Sequence, residues 1–217
     1  MQNLTFLVIY SFLATVLVVV FGIQNHKLKA PKDQKVDYTD VQQVEFGNAP
    51  SIGPEQAPIQ IAVFSDFECP YCAGASKNLS RLLEKYPDQI RLAFKNYTLD
   101  FHPNAKLAAR AALAAHVEGR FWEMEEKLMA NGKQLSEEKI LELATELGLE
   151  RENFKQTMMA PHWEEVLMAD LEQAMALGVK GTPTIFVNGV KVPGSYEGLT
   201  EAVDHFLADQ VAKLSGE

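Results

Sequence analysis

"FSDFECPYCAGASKNL", residues 64–79, contains the only two cysteines of the chain, Cys69 and Cys72. Two residues separate them, a spacing that suits a redox pair, half of a metal site, or two small side chains sharing a core. The flanking sequence indicates the scaffold. Residues 59–64, rich in β-branched and apolar side chains after Pro58, read as a buried strand. In "CPYCAGASKNLSRLLEKYPD" Pro70 suits a first helical position, Leu79, Leu82, Leu83 and Tyr86 mark an apolar face, and Pro87 stops the helix. A strand running straight into a helix over 70–86 makes Cys69 the N-cap.

That placement has a chemical consequence. The first turn of a helix presents unpaired N–H groups and the positive end of its dipole, which favour a thiolate over a thiol. A free cysteine titrates near 8.5, and Cys-X-X-Cys thiols at helix starts fall to about 3.5 to 7. Cys69 is therefore expected to be an ionised nucleophile at neutral pH, with Cys72 one turn further in and more shielded. One sulfur attacks from outside and the other resolves the mixed disulfide. A zinc site would need two more Cys or His ligands with their own short spacing, and His26, His102, His116, His162 and His205 are scattered singly. No metal or organic cofactor is expected.

Composition narrows the classes further. At 217 residues and 47% apolar content the chain can bury a full core without cross-links. Twenty basic against 29 acidic residues give a formal charge of −9, which argues against a nucleic-acid surface. Two cysteines cannot form a disulfide framework, so their chemistry is local.

Far along the chain, "GVKGTPTIFVNGVKVPG", residues 178–194, has two apolar runs, 184–187 and 190–192, joined by Asn188-Gly189. That is a β-hairpin signal. Pro183 at the start of the first run cannot donate to a ladder, and an X-Pro bond in this position suits a cis peptide held by its surroundings.

Residues 4–23, "LTFLVIYSFLATVLVVVFGI", are uncharged over 20 positions, enough to span a hydrocarbon core of about 30 Å as a helix. "GIQNHKLKAP" offers no clear A-x-A cleavage pattern, so the segment reads as an uncleaved transmembrane anchor. Lys27, Lys29, Lys32 and Lys35 follow it, and by the positive-inside tendency they place the main domain in the cytoplasm. Residues 24–52 read as a polar stalk with at most one short strand around 41–46.

Taken together, "FSDFECPYC", "KNYTLDFHPNAKLAARAALAA", "GRFWEMEEKLMANG" and "GVKGTPTIFVNG" resemble the DsbA-like group of thiol:disulfide oxidoreductases. The resemblance covers residues from about 53 to the C-terminus. It implies an α/β thioredoxin-like fold over 53–217 with a helical subdomain inserted at about 103–177, preceded by the transmembrane helix. Strands at 59–64 and about 90–98, the hairpin, and a last helix at about 199–213 fit that order. Phe121, Met124 and Leu128 have helical spacing, and Gly148 falls where a helix would end.

The resemblance also implies roles. Cys69 attacks and Cys72 resolves, while Pro70 and Tyr71 tune the pair. Thr182 and Pro183 form a cis-proline loop that holds client backbone by strand-like hydrogen bonds. Many relatives carry a buried acid six residues before the first cysteine, where this chain has Val63, so proton transfer to Cys72 needs another route. Asp66 and Glu68 either tune the pair by their charge or are ordinary solvated carboxylates. His102 reads as a turn or helix-start residue.

The implied partners are protein thiols and disulfides, a membrane or soluble redox recycling partner, and the membrane through the N-terminal helix. The implied location is the bacterial inner membrane, single-pass, with the catalytic domain outside the cytoplasm, against the lysine pattern. Alternative readings are a cytoplasm-facing disulfide reductase, a soft-metal chaperone using both thiols, and a redox-inactive chaperone using the cis-proline groove.

Overall fold

The structure is a computed structural model describing residues 35–215. The expected anchor at 4–23 lies outside the described residues; among the described ones no helix is long and apolar enough to cross a membrane.

Two parallel strands, β2 (Ile59–Ser65) and β3 (Ile90–Asn96), form the centre, joined by the crossover helix α1 (Pro70–Lys85). The hairpin β4 (Thr184–Val187) and β5 (Val190–Val192) adds antiparallel to β2, with Asn188-Gly189 at its turn. A two-residue strand, β1 (Ser51–Ile52), pairs antiparallel with β3 at the other edge, giving the order β1-β3-β2-β4-β5. Between β3 and β4 lie five helices: α2 (Ala105–Val117), α3 (Phe121–Ala130), α4 (Glu137–Glu146), α5 (Arg151–Met158) and α6 (Trp163–Ala176). The last helix, α7 (Tyr196–Ser215), packs beside α1 and against β2, β4 and β5. The result is an α/β thioredoxin-like fold with a helical insertion.

Alternation along β2 separates two environments, because successive side chains of a strand point to opposite faces. Phe64 joins Phe186, Ala174 and Val179 in a buried cluster under α6. Val63 and Ser65 point the other way, toward Leu79 and Leu83 of α1 and Trp122 of α3. The predicted face of α1 is buried through Leu79, Leu82 and Tyr86. The backbone turns at the end of α4 through Gly148 at φ +78°, a left-handed position that favours glycine after a helix.

The N-terminal segment differs from expectation. No strand forms at 41–46; Val41 makes one antiparallel bridge to Val190. Side-chain packing decides this path. Val44 packs against the Phe64/Phe186 cluster, the Arg91 guanidinium lies 5.3 Å from the Phe46 ring, and Gln173 donates to the Glu45 carbonyl at 3.0 Å. Residues 41–52 of the expected stalk are thus packed on the sheet, with the strand falling at β1. Gly53 then has φ +97°, and a Cβ there would lie 2.0 Å from the Ile90 carbonyl oxygen. Only glycine fits.

Candidate active site

Cys69 is the N-cap of α1 and Pro70 follows in the first turn. Both thiols are free and buried, Cys69 with 5% and Cys72 with 1% of its surface exposed. The Cys69 thiol donates to the Thr182 carbonyl at 3.6 Å, across the cis Thr182-Pro183 peptide, which brings the two distant motifs into one site. Tyr71 stands 78% exposed beside the pair. Cys69, Cys72, Pro70, Tyr71, Thr182 and Pro183 therefore surround one point at the carboxyl end of β2.

The inner sulfur is held differently. Burial pushes the Cys72 thiol up to about 11, because a thiolate loses its hydration there. The hydroxyls of Ser65 and Thr182 and the Asp66 N–H, 3.5 Å from Sγ, offset part of this, and the neighbouring Cys69 adds to it. The Thr182 hydroxyl lies near the sulfur without hydrogen-bond geometry to any partner. Cys72 is thus held as a thiol.

The acids before the pair brace the loop rather than standing as ordinary solvated carboxylates. Asp66 is buried, and its carboxylate accepts from Glu68 N at 2.8 Å and Leu99 N at 2.7 Å. Glu68 accepts from the Asn104 backbone and side-chain nitrogens at 2.6 and 3.3 Å. His102 Nδ1 lies 3.0 Å from Asp66 Oδ2, outside hydrogen-bond geometry. These contacts fasten the redox loop to the segment entering α2, joining residues more than thirty positions apart. From the other side, a Cβ on Gly132 would meet the Phe67 carbonyl oxygen at 2.6 Å. Phe67 stacks on Phe94 at 5.1 Å, and Phe94 meets Phe121 of α3 edge-on at 5.4 Å.

One further acid faces this region. Glu125 of α3 is buried, with 7% exposed, and lines a cavity of about 30 Å³ with Val63, Ser65, Ser76 and Trp122. Burial pushes its carboxyl up to about 7; the Ser76 hydroxyl counters this and Glu126 adds to it. The residue was legible as a position: Glu125 lies four after Phe121 and three before Leu128, on the same helical stripe. Among the described residues no group of three His, Cys, Asp or Glu could hold a metal.

The family model described as Thioredoxin matches residues 45–205. Among solved structures, the chain is similar to oxidised BdbD from Bacillus subtilis, at 21% identity and a TM-score of 0.70, covering 77% of this chain and 97% of that one. A thioredoxin-like oxidoreductase from Silicibacter pomeroyi DSS-3 is 31% identical with a TM-score of 0.65, covering 73% and 92%. The catalytic domain of Proteus mirabilis ScsC is 24% identical with a TM-score of 0.65, covering 75% and 93%. Among curated proteins, the Na(+)/H(+) antiporter NhaA 3 of Salinispora tropica is 37% identical over 154 residues, which is 70% of this chain and 24% of that protein. The chain spans about a quarter of the length of the curated relatives it matches. With a family match from residue 45 to residue 205 laid over the dithiol, the cis-proline loop and the helical insertion, the chain belongs to the thioredoxin family.

Proposed function

We propose that this chain is a membrane-anchored thiol:disulfide oxidoreductase that exchanges disulfides with secreted or envelope proteins through Cys69 and Cys72. The observation carrying this reading is the position of the two sulfurs: Cys69 at the start of α1, 3.6 Å from the Thr182 carbonyl, with Cys72 buried behind it. In the reducing direction the Cys69 thiolate attacks a client disulfide, one client sulfur leaves as thiolate, and a mixed disulfide remains on Cys69. Cys72, once deprotonated, attacks Cys69 Sγ; the second client sulfur leaves and two electrons have passed to the client. The oxidising direction runs the same bonds in reverse.

Thr182 and Pro183 line the client-binding loop, and Pro70 and Tyr71 tune and flank the pair. Backbone-directed recognition there suits unfolded clients of varied sequence. A membrane or soluble partner recycles the pair.

The uncharged stretch at 4–23 supports a single-pass anchor in the bacterial inner membrane. The family resemblance supports a domain outside the cytoplasm. A topology reporter fused at Glu217 tests this, and activity only of a cytoplasmic reporter overturns it.

The central test is the redox equilibrium of the pair against glutathione, together with capture of clients by a Cys72→Ser variant. Reversible Cys69–Cys72 bonding and client adducts on Cys69 are expected. A pair that never oxidises, with no adducts, defeats the proposal.

A further inference from the structure

Cys72 is a buried thiol, and thiolate is the attacking form in disulfide exchange. The strand beneath it offers no base, since Val63 occupies the inward position next to Ser65. The cavity bordered by Val63 has one ionisable lining residue, and it comes from the inserted helix α3.

We propose that Glu125 accepts the Cys72 proton when Cys72 attacks the mixed disulfide and returns it when Cys72 leaves, taking the place of an acid on β2. The proposal rests on the thiol-exchange reading above and adds a residue to it. Three observations place Glu125 there. Ser65, whose hydroxyl interacts with the Cys72 sulfur, lines the same cavity as Glu125. Ser76, beside the Glu125 carboxyl, lies one turn after Cys72 on α1 and therefore on the same helical face. The cavity, about 30 Å³ and lined by two further hydroxyls, Ser76 and Ser80, is large enough for a water that could complete the relay.

Protons and electrons balance in both directions. Cys72 S–H gives its proton through the Ser65 hydroxyl, with a cavity water beyond it, to the Glu125 carboxylate. The Cys72 thiolate attacks Cys69 Sγ, the Cys69–client bond breaks, and the client sulfur departs with the electron pair. Glu125 afterwards releases the proton to solvent. In reverse, a client thiolate attacks Cys69 Sγ, and Cys72 departs as a thiolate that the Glu125 carboxyl protonates.

The surroundings suit titration near neutrality. α1 presents Ser76 and Ser80 toward this space, β2 presents Ser65, which also touches the Cys72 sulfur, and β3 contributes Leu92 and Phe94. Of the other helices on α3, α2 brings His116 against Phe121, and α4 brings Glu146, paired with Lys127. Glu126 is the charged neighbour that adds to the effect of burial on Glu125. Both protonation states of Glu125 are therefore accessible in ordinary conditions.

The test uses the reduced protein and dithiobis(nitrobenzoate). Cys69 attacks the reagent and releases a first thionitrobenzoate; Cys72 then closes the disulfide and releases a second. In Glu125→Gln the first phase is expected to keep its rate, while the second slows about tenfold or more near neutral pH. Its rate also loses the neutral inflection and rises only into alkaline pH. Ser65→Ala, which keeps the acid and cuts its link to the sulfur, is expected to slow the same phase and serves if Glu125→Gln does not fold. A second phase within about twofold of the parent, with an unchanged pH profile, overturns the role of Glu125. Absence of any second release from the parent protein instead defeats the underlying exchange reading.

Discussion

Asp66 and His102 meet beneath the redox loop, Oδ2 to Nδ1 at 3.0 Å, with the carboxylate side chain fully shielded from solvent. The same carboxylate satisfies two backbone N–H groups, of Glu68 and Leu99. Asp66→Ala leaves both part-buried donors without their acceptor. The expected loss is about 2 to 6 kcal/mol, since each stranded donor costs about 1 to 3. Urea denaturation measures it. A loss below about 1 kcal/mol would mean that water or a shifted loop replaces the brace.

Glu125 makes stability depend on pH in a definite direction. Its carboxyl is raised from 4.5 to about 7 in the folded chain. Below the unfolded value both states hold the proton, so acid and amide side chains are equivalent. Between 4.5 and about 7 the unfolded chain ionises while the folded one resists, and stability is lost as pH rises. Glu125→Gln is therefore expected to match the parent in acid and exceed it by about 3 kcal/mol above neutrality, because each tenfold weakening of the acid on folding is worth about 1.4 kcal/mol. Denaturation midpoints across this range check it; a constant difference at every pH contradicts the burial argument.

Cys72 should behave as a shielded thiol. With the group pushed up to about 11 by burial, a Cys69→Ser variant is expected to alkylate slowly with iodoacetamide at neutral pH and accelerate only in strong alkali. The reciprocal Cys72→Ala variant exposes Cys69 alone and is expected to alkylate at least about tenfold faster at neutral pH. Intact-mass time courses separate the two. Equal rates would remove the division of labour between the sulfurs.

Features carried by neighbouring residues were readable directly. Pro70 in the first turn, Cys69 as N-cap and the Asn188-Gly189 hairpin all came out where local pattern put them. Contacts joining distant segments left weaker traces. Asp66 and Glu68 look like surface acids because their partners, Leu99 and Asn104, sit more than thirty residues away. The alternation of Val41 to Phe46 suggests a strand, yet Val44 is drawn onto the Phe64/Phe186 cluster and the segment crosses the sheet face. Glu125 was hidden by its company in "EMEE", although its place on the Phe121–Leu128 stripe marks it as inward-facing.

The insertion is fastened to the sheet by charge as well as by apolar packing. Asp170 of α6 takes the Lys95 ammonium at 3.1 Å, with both side chains 9% exposed, and accepts from the Asn96 backbone and side chain at 2.8 and 3.1 Å. Removing the carboxylate strands a buried cation and a backbone donor together. Asp170→Ala is expected to destabilise by about 3 to 5 kcal/mol, the range for breaking one side of a buried pair. A Lys95→Met/Asp170→Leu double variant should recover much of that loss, since an apolar replacement strands no charge. Comparing the two by urea denaturation distinguishes an uncompensated charge from simple loss of packing. If the double variant is no more stable than Asp170→Ala, the cost lies in the Asn96 hydrogen bonds instead.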